Sequence, residues 1–111
     1  MRYSIQQIKY EFLYAIKEFD SDGSKWSVVL SDLPPAETLS RGGHDPDGFV
    51  FLGKPAGTPR AAALVAEFFA QRFGVVRTRA EDAVPEASEW VILYRDAATL
   101  PRDADRLRDA G

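Results

Sequence analysis

Residues 4–19, SIQQIKYEFLYAIKEF, carry the clearest structural instruction in the chain. Ile5, Ile8, Phe12, Ile16 and Phe19 recur every three or four residues, so at about 100° per residue they fall within a sector of about 80°. Ser4 and Gln7 stand at capping-box spacing, where each side chain satisfies an orphan amide of the first turn. The segment predicts an amphipathic helix with one core face. Its opposite face is aromatic too: Tyr10 and Tyr14 lie one turn apart, Gln7 and Lys17 flank them, and Tyr3 continues the line if the helix extends back.

Outward from this helix, Asp20-Ser21-Asp22-Gly23-Ser24 is turn chemistry. Lys25–Ser31 follows as a half-buried strand, with Trp26, Val28 and Leu30 alternating against Ser27, Val29 and Ser31. Residues 32–48 hold Pro34-Pro35, Gly42-Gly43 and Asp45-Pro46-Asp47-Gly48, which predicts a long surface loop. Phe49–Leu52 is an apolar strand ended by Gly53 and Pro55. Thr58 as N-cap, Pro59 in the first turn and Gly74 just past the last turn frame a second helix over 59–73. Ala61, Leu64, Val65, Phe68, Phe69 and Arg72 share its inward side. Val75–Arg79 and Trp90–Arg95 complete the strands, separated by an acidic loop with Glu81, Asp82, Glu86 and Glu89.

The order α-β-β-α-β-β predicts an α+β two-layer sandwich: one mainly antiparallel four-stranded sheet with two helices on one face. A chain of 111 residues, 45% hydrophobic and 28% charged, is long enough to bury a self-sufficient core as one domain. That domain is expected over 1–95, followed by a polar tail or marginal helix over 96–111.

Composition narrows the chemistry. Without cysteine there is no disulfide scaffold, thiolate nucleophile, zinc finger or iron–sulfur cluster. With His44 as the only histidine there is no His-x-x-x-His zinc site. No cofactor is expected. A net charge of -3 argues against nucleic acid as the main partner, and Glu11 and Glu18 offset Lys9 and Lys17 along the first helix. Ser4, Gln6, Gln7 and Lys9 interrupt any signal-peptide core, and no run of about 18 apolar residues exists, so a cytoplasmic protein with no membrane partner is expected. Asp20-Ser21-Asp22-Gly23 resembles a fragment of a calcium loop, but aligning Gly23 with the loop glycine puts Val29 where a bidentate glutamate is needed.

Four places remain as candidate sites. Tyr3, Gln7, Tyr10, Tyr14 and Lys17 form an expected partner-binding face, because exposed tyrosines supply rigid contact area with a hydrogen-bonding tip. The sheet is a second candidate: its strands are apolar on both faces, so an open face would favour a two-fold homodimer unless the loop or tail covers it. The third is the loop with Arg41, His44, Asp45 and Asp47, where a histidine beside two carboxylates suits a general base or a weak metal set. The same residues also suit an ordinary turn. The fourth is the start of the second helix, where Lys54, Thr58 and Arg60 surround free amides that suit an anion. With no further catalytic constellation, the expected function is a small non-catalytic protein-interaction module of inhibitor, immunity-type or regulatory kind, acting through the tyrosine face or the sheet face. The alternative is a small-ligand or anion-binding protein, or a minor enzyme, using residues 41–48 and the start of the second helix.

Overall fold

The computed structural model describes residues 3–100. The elements are α1 (Ile5–Phe19), β1 (Ser27–Ser31), α2 (Pro35–Arg41), β2 (Phe49–Pro55), α3 (Pro59–Phe73), β3 (Val76–Arg79) and β4 (Trp90–Asp96). Short 3-10 turns occupy Gly23–Lys25, Pro46–Gly48, Pro85–Ala87 and Ala97–Thr99. The fold is α+β, and the expected order gains a helix between its first two strands.

Both long helices start and stop where their sequence signals stand. Ser4 Oγ accepts the Gln7 amide at 3.2 Å while Gln7 Oε1 accepts the Ser4 amide at 3.0 Å, closing the capping box of α1. Thr58 caps α3 through the Ala61 amide at 3.1 Å, and Gly74 ends it at φ 69, a left-handed conformation that costs glycine little. Helix α2 contradicts the expected continuous loop. Pro35 opens it at the first helical position, where a missing N–H costs nothing, and Gly42 closes it, so residues that looked like breakers are its two boundaries.

The sheet order is β2-β4-β1-β3, a mixed sheet in which two of the three pairings are antiparallel, as expected, and one is parallel. β4 runs antiparallel to both β2 and β1, whereas β1 and β3 are parallel, with Ser27 opposite Val76 and Leu30 opposite Arg79. β1, β2 and β3 therefore all point the same way. The chain crosses from β1 to β2 in one lateral direction through α2, then from β2 to β3 in the other through α3. Crossovers of one hand that travel in opposite directions must place their helices on opposite faces.

That rule explains a correction to the layer arrangement. Val28, Leu30, Val50, Leu52, Val91 and Leu93 pack with Ile8, Phe12, Ile16, Val65 and Phe69, so α1 and α3 share one face of the sheet. Alternate residues point the other way. Val29 and Ile92 lie on this second face, buried at 4% and 0% exposure, together with Leu39 of α2. The second face is thus not bare, and the open apolar surface expected to support a homodimer is sealed at its centre by residues 32–48. Thr38 ties α2 down: its hydroxyl donates to the Leu33 carbonyl at 2.9 Å and lies 2.7 Å from Ser31 Oγ, which donates to it. Gly53 makes the close approach feasible, since a β-carbon there would overlap the Pro35 ring.

The inward side of α3 also differs from expectation. Ala62, Val65, Ala66 and Phe69 are buried, whereas Leu64 is 47% exposed and Arg72 lies outside. Two alanines let the helix axis approach the sheet, and this rotates Leu64 outward. Phe12 and Phe69 join the two helices, with ring centroids 5.6 Å apart.

One buried charge crosses this core. Arg95 is 1% exposed and donates to both carboxylate oxygens of Asp20 at 2.9 Å and to Thr99 Oγ1 at 2.9 Å. Asp96 and Ala97–Thr99 thus belong to the described fold, while residues 101–111 of the expected tail lie outside the described residues. Hydrogen bonds from Arg95 hold the Asp20 carboxyl at about 2, below its ordinary 3.8, against the opposing effect of desolvation.

Because the folded carboxyl titrates below the unfolded one, its contribution is complete above about pH 4 and is lost as pH falls toward 2. Urea titrations across that window should show about 1–2 kcal/mol of stability lost through this group once its partial exposure is counted, and Asp20→Asn should remove that component of the slope. Gly53→Ala should cost about 2 kcal/mol by forcing Pro35 off the sheet, read as a lower urea midpoint.

Candidate functional site

Spacing alone builds the outer face of α1. Ile8, Phe12 and Ile16 take the buried line, so Tyr10 and Tyr14, each two positions from a core residue, project about 200° away from it. Tyr10 is 72% and Tyr14 65% exposed, the two largest exposures among the described large apolar side chains. Tyr10 forms a ridge between shallow depressions. On the β2 side, Tyr10, Tyr14, Ala15 and Leu52 line one of about 370 Å³. Toward α3, Gln6, Lys9, Leu13 and Phe68 line another of about 580 Å³.

The flanks carry different charges. Glu11 and Glu18 border the β2 side. Lys9 borders the α3 side, its Nζ 4.1 Å from the centre of the Phe68 ring. The face is thus apolar along its middle and polarised across its width, a pattern suited to orienting a protein partner. Leu13, Leu52 and Phe68 join this surface without a sequence signal for it. Leu52 and Phe68 belong to a strand and to another helix, and only tertiary packing brings them beside Tyr10.

Of the five residues expected on this face, Tyr10, Tyr14 and Lys17 are exposed. Gln7 is exposed as well, but its side chain is engaged in the capping box. Tyr3 belongs to the fold. Its amide donates to the Pro55 carbonyl at 3.1 Å, its ring packs against the core, and the Lys54 ammonium sits 4.4 Å above that ring.

Three of the four side chains singled out over 41–48 have partners within the fold. Arg41 donates to Asp32 at 2.7 Å, which draws the Asp32 carboxyl below its usual range and pushes the guanidinium further up. The Asp45 carboxylate accepts the Asp47 amide at 3.0 Å and so shapes the turn. His44 sets its ring edge against Phe49 at 5.2 Å. Among the described residues no three His, Asp or Glu side chains converge as a metal-binding group would require. His44 instead borders a cavity of about 150 Å³ beneath α2, shared with Thr38, Arg79, Glu81 and Tyr94. That grouping draws on four separate elements, so no local motif announces it.

The start of α3 is similarly divided. Thr58 Oγ1 is used as the cap. Lys54 turns toward α1, where its Nζ lies 3.5 Å from Glu11 Oε2. Arg60 is exposed. The three side chains expected to gather around an anion therefore serve separate purposes. No helix among the described residues is long and apolar enough to cross a membrane. No protein-family model, curated protein or solved structure matches this chain, so the surface chemistry of its own residues carries the functional reading.

Proposed function

We propose that the chain is a small non-catalytic protein-interaction module, of inhibitor, immunity-type or regulatory kind, that docks a protein partner through the outer face of α1. The observation supporting this reading is the exposure of Tyr10 and Tyr14 on a helix whose other side is fully packed. Nothing in folding calls for two aromatics there, since α1 already buries Ile8, Phe12 and Ile16. A tyrosine loses little conformational freedom on binding, covers a large apolar area and retains a hydroxyl for the rim, which suits it to dominate an interface. The depressions on either side offer room for apolar side chains of the partner. The opposite charges of the two flanks favour one orientation of that partner over its reverse. This reading needs no homodimer, because Val29 and Ile92, at the centre of the second sheet face, are covered within the chain.

A second reading has one specific observation in its favour. The cavity beneath α2 is bordered by His44 and Arg79, donors that suit a small carboxylate or phosphate, with Glu81 also in its lining.

The two readings separate by substitution. Tyr10→Ala/Tyr14→Ala should leave the unfolding transition unchanged yet weaken partner capture from the native host at least about tenfold, whereas equal capture by the variant removes this face as the site. For the cavity, inorganic phosphate and acetate should raise the melting temperature of the parent but not of His44→Ala; an unshifted parent rejects these anions as ligands.

A further inference from the structure

We infer that the outer edge of β3 is a docking site for an extended acidic peptide segment, which adds to the sheet as a fifth strand. β3 is the terminal strand of the order β2-β4-β1-β3, so only its β1 side is paired among the described residues. The Val76 amide donates to the Trp26 carbonyl at 3.0 Å. Backbone groups alternate direction along a strand, so Val76 and Thr78 direct theirs at β1. Arg77 and Arg79 therefore turn both N–H and C=O outward, four hydrogen-bonding groups in a row.

The side chains at those two positions favour one kind of occupant. Arg77 and Arg79 are two residues apart and point to the same face of the sheet. Both are exposed, and neither has an acidic partner among the described residues. A strand laid along this edge places its own residues i and i+2 directly beside them, in either direction. Acidic side chains at those positions gain charge-assisted hydrogen bonds from guanidinium groups that are otherwise solvated. Beside the arginines lies a groove of about 380 Å³ lined by Leu30, Pro59, Ala83 and Pro85, with room for one apolar side chain of the incoming segment.

Two alternatives fit less well. Pairing with β3 of a second copy sets arginine against arginine, which is repulsive across strands. A uniformly acidic segment meets Glu81 and Asp82 just beyond the end of β3, so the favoured segment carries its acids opposite Arg77 and Arg79 and is neutral past Ala80.

The test uses the full chain and fluorescent seven-residue peptides of β-branched residues, with either glutamate or lysine at positions 3 and 5. The glutamate peptide should bind, with anisotropy rising below about 1 mM, and the lysine peptide should bind at least about tenfold more weakly. Arg77→Glu/Arg79→Glu should invert that preference, and Arg77→Gln/Arg79→Gln should abolish it; thermal unfolding of each variant checks that the sheet persists. N-methylation of the two glutamate amides should eliminate binding of an antiparallel segment, and N-methylation at positions 4 and 6 that of a parallel one, because those N–H groups enter the new ladder in each case. Equal binding of both peptides, no binding of either, or a preference that survives charge reversal overturns the inference. A concentration-dependent rise in mass of the peptide-free chain that charge reversal abolishes would assign the edge to a second copy and likewise overturn it.

Discussion

The last strand holds the sheet together. β4 lies between β2 and β1, so neither of those strands pairs with the other, and every antiparallel bond in the sheet passes through residues 90–96. Val91, Ile92 and Leu93 are each fully buried, with Val91 and Leu93 in the α1/α3 core and Ile92 beneath α2. Arg95 then fastens the strand's end to Asp20, 75 residues earlier. Pairings of such sequence separation form only after long loops have closed, at an entropic cost that local helices do not bear. A buried ion pair is weak evidence of stability on its own, but breaking one side leaves a desolvated charge. The Asp20–Arg95 pair accordingly penalises every arrangement in which β4 is absent or shifted in register.

How much of this was legible in the sequence follows from the range over which each signal acts. The capping box at Ser4 and Gln7, the Thr58–Pro59 start and the Gly74 stop are local, and each reads correctly because its partners lie within five residues. The stripe Ile8, Phe12 and Ile16 reads correctly for the same reason. α2 was hidden because its seven residues contain one large buried apolar side chain, Leu39, too few to show a period. Its boundaries, Pro35 and Gly42, were visible but were read as obstacles. The parallel pairing of β1 with β3 had no local signature at all. It follows from β4 filling the space between β2 and β1, which leaves β3 a sheet edge, and from α3 carrying the chain across to the edge of β1.

The tyrosine face shows the same division. Helical geometry sufficed to place Tyr10 and Tyr14 away from the core, whereas Leu52, Phe68 and the charge difference between the flanks depended on which elements settle beside α1. Tyr3 does both: the Pro55 carbonyl and the Lys54 ammonium tie it into the fold, and it borders a depression shared with Gln7 and Tyr10.

Polar chemistry in this domain is spent largely on architecture, and this bears on what kind of function remains open to it. Asp20 holds Arg95, Asp32 holds Arg41, Ser31 and Thr38 bind each other, and Asp45 shapes its own turn. Each of these groups would have to give up a partner before it could serve a substrate, and an abandoned buried donor or acceptor costs about 1–3 kcal/mol. Among the side chains under no such obligation are Tyr10 and Tyr14 on one helix and Arg77 and Arg79 on one strand edge. They differ in the contacts they favour. The tyrosines offer area and a hydroxyl to a shaped surface, while the arginines offer charge beside an unpaired backbone. In the proposed readings these free groups hold other chains, and the two surfaces differ enough in chemistry to hold different ones.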